Sequence, residues 1–221
     1  TYNTIPATFT YNTTYETYSV LGYMSWLDLT AYLDWTGLRP MNDFEYEKAC
    51  RGPINPIANE YPWGNTSITQ AYNQPTNFGT FQERANQFGE GICLYSWNDE
   101  NRAPYRPGIF ATQTTTRSQS GATYYGIMEM GGNVSEQVVG GGSGYDYSNF
   151  TTANGDGALG TNGNANTPGW PTGIGANQGN YCKGGDFNGY GSHPSIIQVS
   201  DRQLYGGNTY KLTGAFAPLN Q

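Results

Sequence analysis

Gly126-Ile127-Met128-Glu129-Met130-Gly131-Gly132-Asn133-Val134-Ser135-Glu136 sits past the middle of this chain, and two further stretches frame it. Upstream is Arg39-Pro40-Met41-Asn42-Asp43-Phe44-Glu45-Tyr46-Glu47-Lys48-Ala49-Cys50-Arg51-Gly52, and downstream is Lys183-Gly184-Gly185-Asp186-Phe187. Working outward, two short helices are predicted ahead of the central stretch. Ser25 with Asp28 three residues on forms a capping box, after which Trp26, Leu29 and Leu33 share one face until Gly37 ends the helix. Asn42 and Glu45 form a second box, Phe44, Tyr46 and Ala49 supply apolar surface, and Gly52-Pro53 stops that helix. Residues 1–20 alternate Thr and Tyr and read as strand or extended segment. Past Pro53 helical periodicity fades into short β-like runs and turns. Gly, Asn and Thr crowd residues 140–180, yet Tyr145, Tyr147, Phe150, Leu159, Trp170 and Ile174 punctuate them. Flexible linkers lack large aromatics, so this region is expected to be an ordered loop held by bound ions or by dense side-chain-to-backbone hydrogen bonds. No domain boundary interrupts residues 1–221, which read as a single domain of α+β class with long Gly/Asn-rich ordered loops.

The 221 residues carry a net charge of −7, and only 12% are charged, against about 25% in an ordinary globular chain. Solubility therefore rests on Asn, Thr, Ser, Gln and Tyr, a composition common in secreted and cell-surface β-rich proteins. The scattered basic residues exclude a nucleic-acid footprint. No apolar run reaches the roughly 20 residues that cross a bilayer. The chain opens on Thr1, as expected of a mature or truncated product. Three cysteines, Cys50, Cys93 and Cys182, lack zinc-site spacing. They read as buried small hydrophobes, with at most one disulfide. Cys93–Cys182 is the pair for it, since Cys50 falls in a predicted helix facing a core.

The three stretches, in this order, resemble the sulfatase-modifying-factor domain of formylglycine-generating enzymes, a variant of the C-type-lectin-like fold. Further marks support the likeness. Tyr61-Pro62-Trp63-Gly64 is similar to the family's YPWG turn, and Val199-Ser200-Asp201-Arg202 is similar to its arginine segment. The match runs from about residue 20 to 216, and its spellings look most like those of exported proteins of the Bacteroidetes type. Family domains carry most of a sheet ahead of the Trp26 helix, where this chain has few residues. The resemblance thus implies a longer native polypeptide, or an edge completed by another segment or subunit. An uncovered β edge invites strand addition.

The departures bear on function. The family's enzymes bind copper through two cysteines just after the Gly-Gly-Ser-aromatic turn, thiolate and copper(I) both being soft. Here those places fall near Gly189 and Pro194, neither of which can ligate, and Cys182 lies before the turn. Asp186 replaces the usual Ser, and Gln137 replaces the aromatic after Glu136. His193 is the only histidine, so the histidine-rich iron chemistry of related sulfoxide synthases is absent too. No catalytic residue and no copper are expected. Calcium is the surviving chemistry. The resemblance implies a loop in which Asn133, Val134 and Glu136 present amide, carbonyl and carboxylate oxygens to a hard cation that takes six to eight of them. The alternative reading is that Asn133 and Glu136 only cap backbone groups in a tight turn. Asp146 and Asp156 are lesser candidates, since Asn-Gly-Asp-Gly is also ordinary turn sequence.

The expected function is a non-catalytic extracellular structural or interaction module, secreted or on a bacterial surface, with self-association into a filamentous assembly. An alternative is a lectin-like module binding a glycan or peptide through the loops of 140–195. A remote alternative is an oxidase of the formylglycine-generating type.

Overall fold

A computed structural model describes residues 20, 24–72, 74–95, 104–140, 150–172, 179–187 and 194–202. The readings placed on residues 1–19, Asp146, Gly189 and His193 lie outside these. Both predicted helices form where the capping boxes put them. Helix α1 is Trp26–Trp35, with Ser25 accepting from the Asp28 N–H and the Asp28 carboxylate accepting from the Ser25 N–H. Helix α2 is Asp43–Arg51, with the same reciprocal bonds between Asn42 and Glu45. Acids in its first turn and Lys48 and Arg51 in its last suit the helix dipole.

The buried faces differ from the sequence reading. In α1 the sealed residues are Trp26, Thr30 and Asp34, while Leu29 and Leu33 are only half-buried. In α2 they are Asp43, Tyr46 and Cys50, and Phe44 is 65% exposed. Polar residues take core positions because partners await them there. Tyr181 donates its hydroxyl to Asp43 at 2.8 Å, and the Trp26 indole N–H reaches the Pro171 carbonyl at 2.7 Å.

Strand content among the described residues is small. β1 (Thr69–Gln70) pairs in parallel with β2 (Ile92–Cys93). β3 (Glu136–Val139) runs antiparallel to β4 (Asn180–Lys183), with Glu136 opposite Lys183 and Gln137 opposite Cys182. A one-turn helix, α3 (Arg117–Ser120), and a 3-10 turn at Pro194–Ile197 complete the elements. Val139 N–H donates to the Met41 carbonyl at 2.8 Å, so the start of α2 covers the free edge of β3. No helix among the described residues is long and apolar enough to cross a membrane.

Three apolar clusters surround the central stretch. Tyr46, Cys50, Met130, Val138, Tyr181 and Val199 form one; Ile92, Leu94, Tyr105, Phe110 and Phe187 belong to a second; Tyr61, Trp63, Cys93, Ile196 and Ile197 form the third. The Gly126–Glu136 stretch is stitched between them by backbone bonds. Gly132 N–H donates to Gly184 O, Asn133 N–H to Leu94 O, both at 2.7 Å, and Phe187 N–H to Asn133 O at 2.9 Å. Glycine is required at 132, where φ is +77° and a Cβ would lie 2.5 Å from the Leu94 carbonyl.

The described part of the Gly/Asn-rich region, 150–172, is ordered by side-chain-to-backbone bonds, one of the two means anticipated. Asp34 is the hub. Its carboxylate accepts from Asn166 N–H at 2.9 Å, Asp156 N–H at 3.1 Å and the Thr167 hydroxyl at 2.9 Å. The Asp34 carbonyl takes Gly157 N–H at 3.0 Å. Asp156, read as a lesser metal candidate, spends its Oδ1 on Ala158 N–H at 2.8 Å, an ordinary Asx turn.

Candidate functional site

Asn133 and Glu136 are brought to the junction of the three clusters, but their side chains do different things. Asn133 is fully buried in the left-handed region, φ +62°. Its Oδ1 accepts from Tyr105 N–H at 2.8 Å and its Nδ2 donates to Tyr105 O at 3.0 Å. The amide thus clamps a neighbouring backbone segment, as a strand partner would. Val134 beside it is half-buried.

Glu136 opens β3 and is half-buried as a residue, yet its Oε2 is sealed and has no hydrogen-bond partner among the described residues. The carboxyl is packed against Gly184, where a Cβ would fall 2.3 Å from Oε2 and 3.1 Å from both the Met130 carbonyl and the Tyr46 hydroxyl. Tyr46 donates that hydroxyl to Met130 O. Burial pushes the Glu136 carboxyl well above the ordinary carboxylate value; its own N–H opposes the shift and the Glu129 charge adds to it.

Glu129 is the residue that sequence reasoning missed. It too is left-handed, φ +64°, and its Oε1 accepts from Gly108 N–H at 2.9 Å. Burial raises it to about 7, against the pull of Gly108 N–H and Asn133. Its signal was available, since a lone carboxylate between Met128 and Met130 has no reason to sit in an apolar loop unless something inside receives it. Lys183 is the second omission. It is buried on β4, its Nζ 5.2 Å from the Tyr46 ring, 2.9 Å from Asp201 O and 3.8 Å from Glu47. Burial lowers its pKa, with Glu47 opposing.

The cysteines correct one expectation. No disulfide joins Cys93 to Cys182, both described and buried. Cys93 belongs to the Trp63–Ile197 cluster, whereas Cys182 lies on β4 opposite Gln137. Burial, with Glu136 nearby, pushes the Cys50 thiol up to about 12, and burial with Glu129 nearby raises Cys93 well above its usual value. Pro194, at one of the two places where the resemblance put a copper cysteine, starts the 3-10 turn.

Residues 21–210 match the family described as the sulfatase-modifying factor enzyme 1-like domain. The chain belongs to this family. No curated protein matches it. Within the family frame, the described residues fit copper poorly, because Cys50 and Cys93 are protonated thiols sealed in separate clusters and thiolate is what copper(I) takes. They fit calcium in part. The unpartnered Glu136 oxygen suits a hard cation, whereas the Asn133 amide faces Tyr105. Among the described residues, no three His, Cys, Asp or Glu side chains gather closely enough to hold a metal by themselves. Backbone carbonyls would have to complete any such shell.

Proposed function

We propose that this member of the sulfatase-modifying factor family is a non-catalytic structural and interaction module of an extracellular or cell-surface assembly, built on a variant of the C-type-lectin fold. The observation that carries the reading is the fate of the thiols. An oxidase of the formylglycine-generating type works through an accessible thiolate pair, and here Cys50, Cys93 and Cys182 are all buried, two of them held protonated near neutral pH. The low charge and the exposed apolar faces of α1 and α2 favour contact with other macromolecules over chemistry on a small substrate.

The test is a copper(I) competition titration with a chromogenic chelator, run beside oxygen uptake in the presence of a cysteine-containing peptide. The reading expects no one-to-one copper complex, no oxygen uptake, and thiols that react with a disulfide reagent only on unfolding. Stoichiometric copper binding with peptide-dependent oxygen uptake would sink it.

Calcium belongs to the same proposal, with Glu136 as its side-chain ligand and carbonyls of the Asn133-Val134 turn beside it. Supporting this are the sealed, unpartnered Glu136 oxygen and the cost of leaving such a group unpaired. Calcium would act as a brace between the loop and β3. A melting temperature raised by calcium over chelator in the native chain, and unmoved in Glu136→Gln, is the expected result. Equal melting with and without chelator removes calcium from the proposal.

A further inference from the structure

The α1–α2 face carries a groove of about 770 Å³ whose walls are Leu33, Leu38, Met41, Phe44, Ala49 and Tyr125. Leu38, Phe44 and Tyr125 are each more than half exposed, so a large apolar area meets water here. The aromatics are held in place. The Arg202 guanidinium lies 5.6 Å from the Phe44 ring, and Tyr125 packs edge-on to Tyr124 at 5.0 Å. Arg39 at the rim is neutralised by a two-pronged pair with Glu45. Lys48, exposed on the same wall, has no ion-pair partner among the described residues. The groove therefore asks for apolar side chains accompanied by a carboxylate.

The β1–β2 side of the molecule offers that combination in relief. Phe88 is 54% exposed and Glu90, two residues on, is exposed and without an ion pair among the described residues. Tyr72, tied to Gln87 beside Phe88, is exposed as well. The ridge is braced against β1. Thr69 Oγ1 donates to Glu90 O at 2.8 Å, Tyr72 N–H donates to Gln87 Oε1 at 2.8 Å, and Gln87 Nε2 donates to Gln70 O at 2.9 Å. Preformed knobs and grooves lose little conformational entropy on contact.

We propose that the α1–α2 groove of one copy receives the Phe88–Glu90 ridge of a second copy of this chain, with Lys48 facing Glu90. This rests on the assembly reading above and names its interface. The local complementarity of Lys48 and Glu90, both exposed, supports a second copy as the occupant. Two chains of net charge −7 repel, so their contact must place opposite charges face to face, and Lys48 and Glu90 supply them. The two surfaces differ, so a single groove–ridge contact leaves each copy one free groove or ridge, and its repetition gives a ring or an open filament.

Light scattering and sedimentation of the native chain, Lys48→Glu, Glu90→Lys and the double reversal test this directly. Concentration-dependent association is expected of the native chain. It should weaken about tenfold or more in either single reversal at low salt and return in the double reversal. Unchanged melting temperatures confirm that the variants fold. Association that ignores both reversals, or a double reversal that fails to recover, overturns the interface and leaves the assembly reading standing. A native chain that stays monomeric at every concentration overturns both. So does a monomer whose Lys48 face instead takes a short acidic aromatic peptide.

Discussion

Asp34 and Glu136 are both carboxyl groups withdrawn from water, yet Asp34 meets two backbone N–H groups and a hydroxyl while Glu136 Oε2 meets none among the described residues. Their ionisation parts accordingly. Burial works to raise Asp34, but the donors from Asn166, Thr167 and Asp156 outweigh it and hold the carboxyl below its ordinary value. At Glu136 burial is opposed only by the residue's own N–H, and the acid is driven up. The charge state of a buried acid follows from burial set against the donors around it: those at Asp34 outweigh burial, and the one N–H at Glu136 does not. The same contrast separates two kinds of loop. Residues 150–172 are glycine-rich and irregular but converge on one anion. The Gly126–Glu136 stretch is fixed by backbone bonds and by an Asn clamp, and its two acids are tolerated within it.

The strongest way to break the comparison is Asp34→Ala. It strands Asn166 N–H, Asp156 N–H and the Thr167 hydroxyl together, each at about 1–3 kcal/mol if left unpaired, for a loss on the order of 4 kcal/mol in urea unfolding. Limited proteolysis should then cut first within 150–172. Wild-type-like stability would mean the loop is held by something other than Asp34. The acid limb offers a gentler version. Because the folded value of Asp34 lies below its unfolded one, the stability it supplies is complete above the unfolded value of about 4 and is lost as pH falls through the folded value. Asp34→Asn should flatten that limb of the stability profile below about pH 4, where the native chain still weakens.

Next in size is Asn133→Ala, which removes both side-chain bonds to the Tyr105 backbone. The expected loss is about 2–3 kcal/mol. Asn133→Gly separates two contributions, because glycine accepts φ +62° without strain and should recover about 1 kcal/mol of it. Alanine and glycine behaving alike would show that the clamp, not the backbone conformation, carries the whole effect. Calcium plays no part in either outcome when chelator is present, so any calcium dependence of the difference would return Asn133 to the ligand set.

What the sequence made legible follows from how local each signal is. Ser25–Asp28 and Asn42–Glu45 are closed within four residues, and both boxes form as read. The family was legible because its marks are short, ordered stretches. The buried face of α1 was not, since the partners of Asp34 lie 122 to 133 residues away and no periodicity announces them. Leu29 and Leu33 looked like core only because apolar residues are the default reading of a helix stripe. The cysteine pairing failed for a similar reason. Elimination singled out Cys93 and Cys182, whereas geometry assigns one to the Trp63 cluster and the other to β4. At the candidate site, Asn133 and Glu136 were singled out through the family resemblance, and the sequence left open whether they grip a cation or cap a turn. The Asn133 amide instead holds the Tyr105 backbone, 28 residues away in the chain. Glu129 went unread because its backbone partner, Gly108, lies 21 residues away in the chain.

The smallest expected effect sharpens the comparison from the other side. Glu136→Gln replaces an acid that folding must keep protonated with a neutral group of the same shape. The folded value of Glu136 lies above its unfolded one, so in chelator the native chain loses stability as pH rises past about 4.5 and continues to lose it until the folded value is reached. The Gln variant escapes that loss. It should match the native chain near pH 4 and exceed it on the order of 1 kcal/mol at pH 7 to 8, a gain opposite in sign to the Asp34 and Asn133 losses. The amide still buries polar atoms beside Met130 O and Gly184, which keeps the gain small, and its N–H can donate to that carbonyl where the carboxylate could not. A Gln variant less stable than the native chain in chelator at pH 8 would mean that Glu136 is ionised and paired in the folded protein. The contrast with Asp34 would then collapse into a single rule of well-served anions.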